Sequence, residues 1–278
     1  MMIGSNVLKK MAHDAQAARL QVIEMIYKAG SGHSGGSLSC AEILTVLYGA
    51  YMNVDPQRPD WEERDRFVLS KGHAAPMLYA TLAARGFFER EVLDTLRELD
   101  SPLQGHPCMF KLCGVDMSTG SLGMGISVAV GMALNFRLKK QDNRVFVLCG
   151  DGELQEGQNW EAIMALSKWN LNNVTIFIDR NTVQLDGTNE EIMPMGDIKS
   201  KMEAFGMNTL ECDGHDVGSI TNVLDTALNA DKPSVIIAHT IKGKGVSFME
   251  GKSEWHGKPL NDENYAVAKG EIERRVGA

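Results

Sequence analysis

Residues 144–181, RVFVLCGDGELQEGQNWEAIMALSKWNLNNVTIFIDRN, decide the fold. Val145, Phe146, Val147 and Leu148 make an apolar run of strand length, and it ends at Gly150-Asp151-Gly152. Trp160, Ile163, Met164 and Leu166 then recur at helical spacing. A second apolar run, Val174, Ile176, Phe177 and Ile178, ends at Asp179-Arg180-Asn181. Strand, helix, strand predicts two parallel, adjacent strands, with Asp151 and Asn181 at one C-terminal edge. Ligands of open α/β sheets bind at that edge.

The chemistry there suits a cation. Asp151 offers a carboxylate oxygen and Asn181 an amide oxygen, hard ligands that fit magnesium or calcium and are poor for zinc. Gly152 lets a backbone N–H approach an anion, and the following helix aims its N-terminus at the same place. Two protein oxygens leave an octahedron incomplete, so the rest must come from water, a backbone carbonyl and a phosphorylated ligand. A metal–diphosphate pair fits. The bland reading is an Asp-Gly turn after a buried strand and an Asn that happens to end the next. The pairing of both strand ends across one crossover favours the site.

With 278 residues and 44% apolar composition, the chain can build one large α/β domain or two small ones. A net charge of −8 argues against nucleic acid as a partner. No apolar run is long enough to predict a membrane span, and the N-terminal residues read as the start of a helix, not a secretion signal. The five cysteines, Cys40, Cys108, Cys113, Cys149 and Cys212, are odd in number and scattered without a CxxC. That pattern points to free thiols in a reducing compartment, the cytoplasm by default, and away from zinc.

Outward from the core stretch, residues 6–29 carry apolar positions at helical spacing and stop at Ala29-Gly30-Ser31-Gly32. A tight glycine-serine loop around His33 follows, then a helix from Cys40 to Tyr51 that Ser39 could cap, with Glu42 in its first turn. Phe67-Val68-Leu69 is a short strand leading to Ser70-Lys71-Gly72-His73 and a helix, and Glu91–Leu99 reads as a short amphipathic helix. Residues 101–121 lack regular pattern, the mark of a functional loop, and a small-residue helix follows from Ile126 to Leu138. Further on come a helix over 198–205, a strand over 208–212, a helix over 220–230 and a strand over 234–238. Lys242-Gly243-Lys244-Gly245 has the wrong spacing for a Walker motif. With no repeat or linker, a single domain over 1–278 is the simplest account.

Seven ordered motifs carry a family resemblance over essentially the whole chain: GHSGGS (32–37), DRFVLSKGHAAPMLY (65–79), LQGHP (103–107), TGSLGMG (119–125), GDGELQEG (150–157), IDRN (178–181) and WHGKPL (255–260). GDG followed about thirty residues later by N resembles the thiamine diphosphate signature, and the set resembles the N-terminal, diphosphate-binding half of a transketolase. The resemblance implies an α/β fold with a mostly parallel sheet and helices on both faces. It implies thiamine diphosphate and Mg2+ or Ca2+ as cofactors, with Asp151, Asn181 and the backbone carbonyl of Val183 as metal ligands. Gly152 would contact the diphosphate, His73 would lie near the cofactor, and Gly120, Ser121 and Leu122 would lie at the aminopyrimidine. His33, His106 and His256 would line the substrate channel, His256 also near the diphosphate. His13, His215 and His239 match nothing in the family and read as structural or surface residues.

Two departures stand out. Gly-His-Ser-Gly-Gly-Ser replaces the Gly-His-Pro-Gly common in long transketolases, which bears on the shape of the sugar entrance. The family's pyrimidine-binding domain, with the glutamate that activates the aminopyrimidine, has no counterpart here and is expected on a partner chain, as an α2β2 assembly. Glu156 instead matches a family glutamate at the subunit interface. The implied activity is transfer of a two-carbon ketol unit from a ketose to an aldose, commonly as sugar phosphates. The alternatives are another thiamine enzyme subunit, deoxyxylulose-phosphate synthase-like or 2-oxo-acid dehydrogenase α-like, or a non-catalytic cofactor-binding module. Ser-Lys-Gly-His and Leu-Gln-Gly-His-Pro favour transketolase.

Overall fold

Alternate residues of every inner strand are buried on opposite sides of one sheet, and this explains the unbroken apolar runs. The computed structural model describes residues 3–277. The chain opens with α1 (Ser5–Ala29), a short α2 (Ser34–Leu38) and α3 (Ala41–Val46), then enters β1 (Arg66–Leu69) and α4 (Ala75–Ala84). α5 (Met124–Lys139), β2 (Val145–Gly150), α6 (Gly157–Trp169) and β3 (Val174–Arg180) follow. The chain closes with α7 (Asn189–Ile192), α8 (Ile198–Ala204), β4 (Asn208–Asp213), α9 (Val217–Leu228), β5 (Ser234–His239) and α10 (Asp262–Val276). The strand order is β1-β2-β3-β5-β4, and every pairing is parallel.

Phe67, Phe146, Leu148, Phe177 and Ile236 pack on one face with α1, α3, α4, α9 and α10. Val68, Val147, Cys149, Ile176 and Ile237 pack on the other with α5, α6 and α8. A parallel sheet covered on both faces has no polar side to show, so no period-2 alternation marks its strands. The expected helices on both faces are therefore present. Register aligns Gly150 with Asp179 and Asp179 with Ala238. The residues just beyond those positions, Asp151, Asn181 and Thr240, thus emerge on one edge.

Several elements differ from the sequence expectation. The glycine-serine loop is partly helical, because Ser34–Leu38 closes one short turn of helix. The helix expected over 40–51 is α-helical only to Val46 and continues as a π-helical turn over Leu47–Tyr51. Ser39 does not cap it: its hydroxyl donates to Asp179 Oδ2 at 2.6 Å, a charge-assisted bond stronger than a neutral cap. Glu91–Leu99 is a 3-10 turn over Arg90–Thr95, ended by left-handed Arg97 and Asp100. The loop over 101–121 is irregular as expected. α10, which periodicity left unread, starts at a side-chain cap from Asn261 to the Asn264 N–H, with Asp262 and Glu263 in its first turn and Arg274 and Arg275 in its last. All five cysteines are unpaired, and no helix among the described residues is long and apolar enough to cross a membrane.

A buried ion pair joins the first layer of helices. Arg19 Nη1 and Nη2 grip the two Glu42 carboxylate oxygens at 2.5 and 2.6 Å, and Nε donates to Leu38 O at 3.1 Å. His215 Nδ1 stands 3.2 Å from the same carboxylate, while its Nε2 accepts the Ile241 N–H at 2.8 Å. His215 is thus a structural residue that seats the segment after β5. Burial alone would raise the Glu42 carboxyl, but the Arg19 charge and the hydrogen bonds from His215 and Arg19 outweigh it and hold it at about 2, below the ordinary 4.5. A depressed carboxyl stabilises the fold above the unfolded value and loses that contribution as pH falls from about 4.5 through about 2. Acid unfolding followed by circular dichroism should reflect this. Glu42→Gln should leave Arg19 unpaired and cost about 3–5 kcal/mol at neutral pH, and it should flatten the loss of stability over that acid window. An unchanged acid midpoint and unchanged denaturant stability in the variant would contradict the assignment.

Candidate functional site

β2 and β3 deliver Asp151 and Asn181 to one cavity of about 380 Å3. The Asp151 carboxylate accepts the Gly152 N–H at 2.9 Å and the Thr182 N–H at 2.7 Å, so both oxygens are oriented by backbone. Asn181 is oriented by its neighbours too. Its Nδ2 donates to Asp179 Oδ2 at 3.1 Å and its Oδ1 accepts the Val183 N–H at 3.2 Å. Burial, and then the nearby Asp179 charge, push the Asp151 carboxyl up to about 6. A cation against Asp151 would relieve both effects.

Beneath them lies a buried polar cluster that the sequence reading missed. Lys71 and Asp179 are both fully buried and form an ion pair. Lys71 Nζ also donates to Gly36 O at 2.7 Å and to Ser39 Oγ at 3.4 Å, and the Thr240 hydroxyl donates to Asp179 Oδ1. Burial works against the charge on both partners, yet each charge holds the other: Asp179 stays below the usual carboxylate value and Lys71 above the usual amine value. The available signals were Lys71 at the end of β1 and Asp179 inside IDRN.

Lys242 was missed as well. It stands in the Lys-Gly-Lys-Gly run beyond β5, and its Nζ donates to Val183 O at 3.0 Å and Gln184 O at 3.2 Å. It also lies 2.8 Å from His256 Nδ1. Burial and then the Lys71 charge lower its amine to about 8.

Four histidines from four motifs meet at this cavity. The ring centre of His33 is 5.5 Å from His73, 6.2 Å from His106 and 5.3 Å from His256, and His73 stacks on His256 at 4.9 Å. Burial is the first cause that lowers every one of them. Arg97 adds to it at His33, brought to about 4, and at His106; Lys242 adds to it at His256, brought to about 3; and His73 falls well below the ordinary value. All four imidazoles are neutral at pH 7 and can donate and accept hydrogen bonds.

Glu153 ties the 119–125 loop to the turn after β2. Its carboxylate accepts the Gly123 N–H at 2.8 Å, the Gly150 N–H at 3.0 Å and the Ser70 hydroxyl. Gly120 and Leu122 line the cavity, whereas Ser121 is exposed between them and is not part of its wall. Glu156 stands exposed at the rim, and His13 and His239 lie outside the cavity.

The residues present fit a divalent cation and a diphosphate. The donor set is one carboxylate, one amide and one carbonyl, all hard oxygens. Among the described residues no group of three or more His, Cys, Asp or Glu side chains is arranged to hold a metal ion, and this mixed oxygen set is not a group of that kind. The space at residue 152 is tight: a Cβ on Gly152 would stand 3.1 Å from Gln184 Oε1 and 3.2 Å from Asn189 Oδ1, the latter a buried acceptor without a partner among the described residues.

Sheet order and strand-end chemistry together define an open parallel α/β domain with a crevice at its strand ends that fits a cation and a diphosphate, and residues 10–273 match the family described as "Transketolase, thiamine diphosphate binding domain". The chain is 45% identical over 263 residues to the 6-deoxy-6-sulfo-D-fructose transketolase subunit SqwG of Clostridium sp. (strain MSTE9), covering 94% of this chain and 96% of that protein. It is 44% identical to an apulose-4-phosphate transketolase subunit of Phocaeicola vulgatus, covering 93% of this chain and 92% of that protein. Human transketolase is 40% identical over 91% of this chain, but the match spans 40% of that longer protein. The solved transketolase of Campylobacter jejuni superposes with a TM-score of 0.90 at 34% identity, over 98% of this chain and 43% of that one. The chain belongs to the transketolase family and forms one part of a thiamine diphosphate-dependent transketolase.

The buried pair under the site has a measurable signature. Lys71→Met should cost about 3–5 kcal/mol by stranding Asp179. Adding Asp179→Leu should restore part of that loss, because two apolar groups strand no charge. Urea unfolding of the single and double variants measures the coupling. Strictly additive losses would show that the pair does not act as a unit.

Proposed function

We propose that this chain is the cofactor-holding half of a two-chain transketolase that moves a two-carbon ketol unit from a ketose to an aldose. The observation that carries the reading is a single bridge: Lys242 joins the Val183 carbonyl on the cation side to His256 on the imidazole side of one cavity. Asp151, Asn181 and the Val183 carbonyl would hold Mg2+ or Ca2+. Gly152, which has no side chain, and the Lys242 ammonium would face the diphosphate, with His73 and His256 beside it. Gly120 and Leu122 would approach the aminopyrimidine through the cavity wall, and Ser121 through its backbone. Thiamine diphosphate, when bound, supplies the nucleophilic carbon and the electron sink. His33, His106 and His256 would bind the sugar hydroxyls, and His106 and His256 would pass protons to and from them as neutral imidazoles.

The relatives support a partner and a substrate class. Two are named as transketolase subunits, one for 6-deoxy-6-sulfo-D-fructose and one for apulose-4-phosphate, so each sugar name carries an anionic group. A sugar phosphate or a similarly charged sugar is therefore the proposed substrate. The single domain of this chain would be completed by a partner chain carrying the pyrimidine domain, in an α2β2 assembly. Met124 and Leu138 on α5 and Met164 and Trp169 on α6 are 44%, 83%, 52% and 51% exposed, an apolar surface suited to a contact between chains. The unpaired cysteines support a cytoplasmic setting.

A coupled assay with xylulose and ribose phosphates tests the division of labour. The purified chain alone should be inactive, and the partner chain should restore turnover; robust activity from this chain alone would end the two-chain reading. Asp151→Ala should abolish magnesium-dependent thiamine diphosphate binding without unfolding the protein, and unchanged affinity by calorimetry would refute the metal assignment. His106→Ala and His256→Ala should lower turnover of the complex by about 10²–10⁴, the range for a lost general acid or base. Cofactor affinity should fall more for His256, which touches Lys242. Equal, large affinity losses with normal turnover at saturating cofactor would contradict the sugar-side role.

A further inference from the structure

Arg97 lies outside every motif that identifies the family, yet its guanidinium reaches the histidine cluster. It follows the 3-10 turn and holds a left-handed backbone (φ 63), a conformation unfavourable for any residue with a Cβ. Its N–H is tied to Leu103 O at 2.9 Å, and the preceding Leu96 is buried. Nη1 donates to Ser31 Oγ at 2.9 Å, and Nη2 lies 3.4 Å from His33 Nδ1. Gly105 makes room on the other side, since a Cβ there would come within 3.0 Å of the guanidinium carbon. Backbone, hydroxyl and glycine thus all hold one planar group against one ring nitrogen.

A guanidinium has donors only, so the nitrogen it meets must present a lone pair. In a neutral imidazole the proton is then on the other nitrogen. We propose that Arg97 is a positioning residue for His33, fixing Nδ1 as acceptor and leaving the Nε2–H as a donor in the cavity shared with His106 and His256. Nε2 has no protein partner among the described residues. Toward a ketose, His33 would therefore donate a hydrogen bond to an oxygen rather than take a proton from one. The same guanidinium, with Lys242, supplies positive charge that lowers His33 further once burial has lowered it. The tautomer follows from Arg97 alone, while its consequence for the sugar rests on the function proposed above.

Long-range ¹H–¹⁵N spectra of the chain labelled at its seven histidines read the tautomer directly, with His33→Gln assigning the signals. His33 should show the Nε2–H form, and Arg97→Met should turn it into a mixture of both forms while the signals of His215 and His239 stay in place. In the complex with its partner, Arg97→Met should lower kcat/KM for the ketose by about tenfold, the size of one hydrogen bond to the transition state, with thiamine diphosphate affinity unchanged. An Nδ1–H form in the unmodified chain would overturn the proposal, and that reading needs no variant to fold. So would a His33 signal indifferent to Arg97→Met, or a loss confined to cofactor affinity. Absence of ketol transfer by the unmodified complex would instead sink the functional reading and leave the tautomer result standing.

Discussion

The buried Lys71–Asp179 pair is the constraint on which the site depends. Two opposite charges with no water around them are costly to bury, and they repay that cost only if their remaining hydrogen-bonding capacity is satisfied. Here it is, by Gly36 O, Ser39, Thr240 and the Asn181 amide. These groups come from the end of β1, the turn before α3, the end of β3 and the exit of β5. One ion pair therefore locks together four segments that are far apart in the chain, and Asn181 is aimed because Asp179 holds its amide nitrogen. Removing either charge would disturb every ligand above it at once.

Sheet topology explains why that pair sits where it does. The connections β2 to β3 and β3 to β4 run through α6 and α8 on one face, whereas β4 returns to β5 through α9 on the other. The order thus reverses between β3 and β5, and a crevice opens outside the carboxyl ends of strands at such a switch point. Asp179 and Asn181 leave β3 on one side of it, and Thr240 and Lys242 leave β5 on the other. The segment after β5 is in turn seated by the Ile241 N–H on His215, which rests on the buried Arg19–Glu42 pair. A polar chain of contacts so runs from α1 to the cavity.

Strand ends were the legible part of the sequence. Val145–Leu148 and Val174–Ile178 were plain as apolar runs, and their ends placed Asp151 and Asn181 without any further help. The faces of those strands were not legible, because burial on both sides erases alternation. Lys71, Asp179 and Lys242 were missed for a related reason. Each is a single polar residue whose partner is remote, Lys71 and Asp179 being 108 positions apart, so no local spacing marks them. Ser39 shows the same limit: a serine before a helix reads as a cap, and only the approach of Asp179 redirects its hydroxyl.

Charge balance in the cavity gives the site its direction. Among the described residues Lys242 and Arg97 have no carboxylate in an ion pair, while Lys71 is paired with Asp179 and Glu153 accepts from two N–H groups and a hydroxyl. Both cations lie beside imidazoles that burial keeps neutral, and Asp151, Glu153 and Glu156 place carboxylates on the same wall. Lys242 and Arg97 can each meet a negative group of a ligand, and the histidines form hydrogen bonds without adding charge of their own. The same balance bears on what the proposed partner must bring. Glu153 cannot leave its three donors without exposing buried N–H groups to nothing, and Glu156 faces outward at the rim. In the proposed two-chain enzyme a free carboxyl group for proton transfer would then fall to the second chain.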